Sequence, residues 1–288
     1  MEFIKGYMDN DDYRHLLNEI TGEIFGFSFE KWYCAGYFEG EYIPYSFLEN
    51  GKIIANASAN IMKMMQNGEE KLYIQIGTVM TRAEYRNRGM ARQLIEKILA
   101  DFEDQSDGFY LFGNLNAVGF YERLGFLQLN QFRYTSSSMP ERDCDKAPFL
   151  PVGESDRPRY LASLRSAVPN AALELMNRYS LQMFYTLSME NVFYCKEMDC
   201  FAVMEQQGKM LHLVGLTCSK HVSIQEVLRR VDGSYEGVIL GFTPRSEDAA
   251  MFHATPYNGE QEYRFFYKGQ KLEQITVDKL YFPVLSHA

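Results

Sequence analysis

The sequence predicts an α/β (α+β) protein: a mixed, mostly antiparallel central sheet flanked by helices, followed by a second, smaller α/β unit. Three observations carry this. Residues 42–81 read as three strands joined at Asn50-Gly51 and Asn67-Gly68, residue pairs that close tight hairpins. An amphipathic helix over 89–103 and a buried strand over 109–113 follow. After a stretch of serines, prolines and acids at 136–158, strand and helix patterns begin again. The expected organisation is a first domain over 1–135, a linker over 136–158 and a second unit over 159–288.

Taken in order, Phe3 to Tyr7 can form a first strand. Asp9 to Ile24 sets Tyr13, Leu16, Leu17, Ile20 and Ile24 at helical spacing, with Asp and Asn residues at its start as N-caps. Residues 25–47 are dense in aromatics, which serve either as core or as the wall of a pocket for an apolar or aromatic ligand. Strands are expected over Tyr42–Leu48, Lys52–Met65 and Lys71–Thr81. In the helix over 89–103, Met90, Ala91, Leu94, Ile95, Ile98, Leu99 and Phe102 share one face, so it packs on a sheet. A helix over 115–124 ends at Gly125, and a strand over 126–135 returns. The second unit is read as helices over 159–167 and 170–185, strands over 192–196, 201–206 and 210–218, a helix over 223–231, and strands over 237–242, 262–268 and 280–285.

The halves share an order. A strand ending at Val79 leads through a loop and helix to one ending at Phe112, and a strand ending at Leu216 leads through a helix to one ending at Leu240. The second connection is shorter by about the length of a glycine loop. A degenerate repeat explains this, and so does the commonness of strand–helix–strand units.

Composition narrows the function classes. Apolar residues make up 46% and charged residues 23%, and the formal net charge is −9. The acidic balance argues against a nucleic-acid binder driven by bulk electrostatics. No run of 18 apolar residues occurs and the first residues do not resemble a signal peptide, so a cytoplasmic protein that does not span a membrane is expected. The five cysteines are odd in number and lack CxxC spacing, which reads as reduced buried thiols. The five histidines are scattered, and no metal is expected.

The chemistry concentrates in residues 79–126. Arg86-Asn87-Arg88-Gly89-Met90-Ala91 has the form R-x-x-G-x-A between a strand and a helix. A helix start leaves several N–H groups without partners and carries about half a positive charge, so it attracts phosphate oxygens. Gly89 and Ala91 keep the approach open, and Arg86 and Arg88 add charge. The lysine and Ser/Thr of an ATPase loop are absent. Downstream, Asn114, Ala117, Tyr121, Gly125 and Phe126 form N-x-x-A-x-x-x-Y-x-x-x-G-F, with Ala117, Tyr121 and Gly125 on one helix face.

Together these two elements resemble the GCN5-related N-acetyltransferase (GNAT) superfamily over about residues 3–135, and the whole chain resembles its tandem two-domain members with a degenerate second half. The resemblance implies a GNAT fold and acetyl-coenzyme A as cosubstrate. Backbone amides of Arg86, Asn87, Arg88, Gly89, Met90 and Ala91 would hold the pyrophosphate, and Val79, Met80 and Thr81 would pair with the pantetheine arm. Asn114 would sit beside the cofactor, and Tyr121 would protonate the leaving thiolate. The implied reaction is attack of a primary amine, of a small molecule or peptide, on the thioester in a ternary complex. The base departs from the simplest family pattern: the central strand, Leu72 to Gly77, holds no carboxylate, and Gln75 cannot accept the proton. Glu39, Glu41 and a terminal carboxylate at Ala288 are the candidates. A non-catalytic acyl-coenzyme A sensor is the alternative function and an aminoacyl transferase a weaker one. One cofactor per chain is expected, and homodimerisation is left open.

Overall fold

The structure, a computed structural model, describes residues 1–270 and 272–288. The chain opens with β1 (Glu2–Lys5), α1 (Asp11–Phe25) and α2 (Glu30–Cys34). The Asn10 side chain caps α1 by accepting from the Tyr13 N–H. The meander follows: β2 (Tyr42–Glu49), β3 (Lys52–Gln66) and β4 (Glu69–Thr81). Asn50 and Gly51 both take positive φ, as do Asn67 and Gly68, the backbone twist that two-residue hairpins need. Next come α3 (Met90–Phe102), β5 (Gly108–Asn114), a short 3-10 turn at Leu115–Ala117, α4 (Val118–Glu122), β6 (Leu127–Gln128) and β7 (Gln131–Ser136). The expected helix over 115–124 is thus split, with the 3-10 turn leading into α4.

The second half contains β8 (Leu150–Pro151), α5 (Arg157–Ser166), β9 (Ala171–Leu175), α6 (Arg178–Tyr185), β10 (Val192–Cys195), β11 (Cys200–Gln207) and β12 (Met210–Cys218). It ends with α7 (Ile224–Leu228), β13 (Gly237–Leu240), β14 (Thr243–Pro244), α8 (Ser246–Ala249), β15 (His253–Tyr257), β16 (Tyr263–Gly269), α9 (Leu272–Val277) and a 3-10 turn at Val284–Ser286.

Two sheets form. The first runs β1-β2-β3-β4-β5-β16-β6, with β9 added to β3 and β14 to β9. The second runs β15-β7-β13-β12-β11-β10-β8. Each has one parallel pair joined through a helix: β4 with β5 through α3, and β12 with β13 through α7. This is the mixed, mostly antiparallel fold expected, with the smaller α/β unit beside it. The sheets also exchange strands across residues 136–158: β7 enters the second sheet, while β9, β14 and β16 enter the first.

One face of the first sheet packs against α3, burying Met90, Leu94, Ile95 and Ile98. The other face buries Leu17, Ile20, Trp32 and Met183 from α1, α2 and α6 in one cluster with Phe201, Val203 and Val214 of the second sheet. The two units therefore share a core, and at about 1.5–3 kcal/mol for each fully buried large apolar side chain that seam is a strong one.

Three expectations are corrected. The helix expected over 170–185 begins only at Arg178, because Ala171–Leu175 pairs instead with Met64–Gln66 of β3 and with β14. Its Ala, Leu and Glu favour helix, and tertiary pairing overrides that weak preference. No strand forms over 280–285: Tyr281 and Phe282 donate their N–H groups to the Thr243 hydroxyl and the Gln131 side-chain carbonyl rather than to a neighbouring strand. Cys200 and Cys218 stand in register on β11 and β12, with Cα atoms 4.4 Å apart, and form a disulfide. Cys34, Cys144 and Cys195 are free.

Candidate active site

β4 and β5 pair only from Tyr73 to Gln75 against Gly108 to Tyr110. Beyond that point β4 runs on to Thr81 and β5 to Asn114 without pairing to each other, so a gap opens between two central strands. The β3–β4 register shifts between Asn56 and Ser58, and Thr78 takes φ 44°. Such a bulge bends a strand and re-aims its groups. A buried network holds it: the Thr78 hydroxyl meets the Tyr42 and Ser58 hydroxyls at 2.8 Å each, and Asn56 Nδ2 donates to the Thr78 carbonyl.

The gap opens into a cavity of about 470 Å³. Val79 and Thr78 form its β4 side, and Asn114, Ala117 and Tyr121 its β5 and α4 side. Across from them stand aromatic side chains of the 25–32 segment and of α6. Tyr121 is buried, which pushes its phenol up to about 12. Among the described residues its hydroxyl has no hydrogen-bond partner, so it is available to a ligand.

The end of the sequence also reaches this cavity. Ala288 lies against Gly77, so tightly that a Cβ on Gly77 would collide with its main-chain oxygen. Gln75 clamps it from both sides, accepting from the Ala288 N–H at 2.9 Å and donating to the Ala288 oxygen at 3.3 Å. His287 stacks on Phe112 at 3.7 Å, and its carbonyl accepts from the Tyr185 hydroxyl. Its Nε2 is buried without a partner, and desolvation drives the imidazole down to about 3, so it is neutral at physiological pH.

At the far end of β4 the chain passes through Arg82–Arg88 into α3. Asn87 and Gly89 both take left-handed backbone, at φ 61° and 76°. Residues of that kind turn successive N–H groups into one concavity. Gly89 precedes α3 with no side-chain cap, and an added Cβ there would meet nothing nearer than 3.9 Å. The helix start is open to an anion, and the residues present fit a pyrophosphate.

Comparison with known proteins agrees with this geometry. Residues 7–126 match the model of the Acetyltransferase (GNAT) family. Solved structures share the fold at low identity. A GCN5-related N-acetyltransferase from Kribbella flavida is 16% identical, with a TM-score of 0.58 over 92% of this chain and 70% of that one. One from Anabaena variabilis is 15% identical, with a TM-score of 0.57 over 96% and 74%. Eis1 from Mycobacterium abscessus is 12% identical, with a TM-score of 0.55 over 92% and 73%. No curated protein sequence matches the chain. Residues 7–126 thus match the GNAT family, and the likeness of fold extends over most of the chain. The family match supports acyl transfer in general.

Within the matched stretch the residues singled out from sequence fall into two groups. Val79, Asn114 and Tyr121 line one cavity. Arg86, Asn87, Arg88, Gly89, Met90 and Ala91 lie beyond it at the start of α3. Arg86 Nε donates to the Thr81 carbonyl at 3.2 Å, and Arg88 donates to the Glu84 carbonyl at 2.8 Å and lies over the Tyr85 ring. Both arginines brace the loop while keeping their charge beside it. Met80 and Met90 turn their side chains into the two cores, leaving only backbone for a ligand. Thr81 is half-buried at the strand end.

Of the three base candidates, Glu39 is held by Arg165 at 2.6 Å and does not line the cavity, whereas Glu41 and Ala288 do. Sequence reasoning missed His287 and the aromatics of α6. Their only signal is long-range: Ala288 meets Gln75 across 213 positions. Among the described residues, no cluster suited to a metal occurs and no helix is long and apolar enough to cross a membrane.

Proposed function

We propose that the protein transfers an acetyl group from acetyl-coenzyme A to a primary amine of a small molecule or peptide, by direct attack in a ternary complex. The observation that carries this is one cavity lined both by the β4–β5 gap at Val79 and by the Tyr121 phenol. The backbone of Arg86 to Ala91 is proposed to take the pyrophosphate, Val79 to Thr81 the pantetheine arm, and Asn114 the cofactor beside it. The second half is proposed as a degenerate copy that walls the acceptor side.

In the transfer, the amine nitrogen bonds to the thioester carbonyl carbon, the C–S bond breaks, and the sulfur leaves with its electron pair. The N–H groups near Val79 face the oxyanion. Tyr121 donates to the departing sulfur. At about 12 the phenol is a weaker acid than a thiol of about 8.5, so full proton transfer would cost about 5 kcal/mol and its main contribution is a hydrogen bond. Where Ala288 carries a free carboxyl, that carboxylate, oriented by Gln75, takes the amine's proton and passes it to the departing sulfur, which then leaves as the thiol.

Tyr121→Phe tests the reading. It is expected to lower kcat by about 100-fold while acetyl-coenzyme A affinity, read by calorimetry, changes less than about 3-fold. Equal loss of both would remove the acid role. Adding one glycine after Ala288 tests the carboxyl: kcat should fall with affinity intact.

A further inference from the structure

The cavity carries a charge asymmetry that bears on the acceptor. Among the described residues that line it, Glu41 is the single charged side chain, and neither lysine nor arginine is present. The Glu41 carboxyl is half taken out of water, and desolvation, the largest influence on it, pushes its pKa up. It meets the Ser180 hydroxyl, but its Oε2 is buried without any partner. A buried carboxylate oxygen left unpaired is costly, and a cation brought against it removes the cost.

The surroundings define what else the ligand must be. Phe29, Trp32 and Phe184 pack on one another, with ring centroids 5.8–6.1 Å apart, and together form an aromatic wall of the cavity. The wall is held in place, because Trp32 Nε1 donates to the Ser180 carbonyl at 2.8 Å. That bond ties the aromatic segment to α6 and sets Ser180 beside Glu41. Aromatic faces attract cations and apolar rings alike and offer no counter-charge to an anionic body. At about 470 Å³ the cavity is of the size that encloses a small molecule.

We infer that the acceptor is an amine on an aromatic or bulky apolar body without an anionic group, received as its ammonium ion at Glu41 with its body against the Phe29–Trp32–Phe184 wall. This rests on the transferase reading above and deepens it. The ion pair is a ground-state contact. It is broken when the ammonium passes one proton to cavity water and turns, as the neutral amine, to the β4–β5 gap; the second proton follows the transfer path given above, so the pair sets capture of the acceptor and not the rate of the chemical step. A carboxylate or phosphate on the acceptor would meet Glu41 and no compensating cation.

The test uses the full chain with acetyl-coenzyme A and three acceptors: phenethylamine, phenylalanine, which adds a carboxylate to the same body, and glucosamine, which replaces the ring with hydroxyls. The expected kcat/KM for phenethylamine exceeds the other two by at least about 100-fold. Glu41→Gln is expected to raise KM for phenethylamine about 10-fold with kcat within about 3-fold, a split that a merely structural role would not produce. Comparable turnover of phenylalanine or glucosamine would overturn the inference. If acetyl-coenzyme A binds but no amine is acetylated, the transferase reading fails. Calorimetry of the three amines on the coenzyme A-loaded protein then decides the inference separately, with tighter binding of phenethylamine upholding it and equal or no binding of all three overturning it.

Discussion

In the first strand–helix–strand unit β4 and β5 part after Gln75 and Tyr110, and in the second β12 and β13 part after Leu213 and Leu240. Both central strands carry a bulge against their antiparallel neighbour near the parting, at Asn56/Ser58 in one and Val203/Met204 in the other. What enters the two gaps differs. In the second, Leu285 packs where Gly215 has no side chain, and the Val284 N–H donates to the Gly241 carbonyl, so the protein fills the gap itself. In the first, Ala288 seats against Gly77 and the rest stays open as the cavity.

The helix starts differ in the same way. α3 has no side-chain cap. At α7 the Ser223 hydroxyl accepts from the Gln225 N–H, and the buried Asp248 carboxylate accepts from the Ile224 N–H at 3.1 Å and the Ser223 hydroxyl at 3.0 Å. Asp248 stands where an anion would bind. The second unit thus has a shorter connection and supplies its own anion at the helix start. The same five-residue tail stretch, 284–288, plugs one unit and furnishes the other.

The largest effect should come from making the first unit imitate the second. Gly89→Glu puts a carboxylate at the α3 start. The residue sits at φ 76°, so the change strains the backbone by about 1–2 kcal/mol. The repulsion and crowding are expected to weaken acetyl-coenzyme A binding by more than about 100-fold, read by calorimetry. A loss under about 3-fold would sink the pyrophosphate assignment.

The converse change is Asp248→Ala. It leaves the Ile224 N–H and the Ser223 hydroxyl without their buried acceptor, and a loss of about 2–3 kcal/mol in denaturant unfolding is expected. The titration should still give one acetyl-coenzyme A per chain, because Leu285 continues to fill the gap. Two per chain would show that the carboxylate alone had closed the second site.

Leu285→Ala separates the plug from the aim. Leu285 is half-buried, so the stability cost is expected at about 1–2 kcal/mol. If the plug also holds Ala288 at Gly77, kcat falls while acetyl-coenzyme A affinity stays within about 2-fold. An unchanged kcat would mean that the Gln75 clamp suffices.

How much of this was legible follows from range. The hairpins at Asn50-Gly51 and Asn67-Gly68 and the amphipathic face of α3 are local patterns, and local geometry follows from them. The R-x-x-G-x-A loop and Tyr121 are equally local, since their spacing alone sets them at the two ends of one helix-bearing segment. Nothing local tells that β16 will slot between β5 and β6, or that Ala171–Leu175 will abandon helix for the edge of β3. Glu39 and Glu41 are indistinguishable in sequence. Only the ion pair of one with Arg165 and the unpaired oxygen of the other separate them. The role of Asp248 is hidden in the same way, 24 positions from the helix start it caps.

The smallest expected effect concerns His287, which has no counterpart in the second unit's gap. Its ring stacks on Phe112 with Nε2 buried and unpaired, so the folded state keeps it neutral down to about pH 3, against an ordinary value of 6.5. Between these values the unfolded chain binds a proton that the folded chain does not. The contribution is therefore favourable above pH 6.5 and is lost as pH falls below it, with a limiting slope of about 1.4 kcal/mol per pH unit. Part of the ring meets the cavity, which reduces that slope. His287→Phe keeps the stack and removes the titrating nitrogen. Denaturant unfolding at pH 7 and pH 5 should then show the variant losing about 1–2 kcal/mol less than the parent protein. Equal losses would mean that water or a nearby donor already satisfies Nε2, and that the tail is less tightly packed at Phe112 than the plug at Gly215.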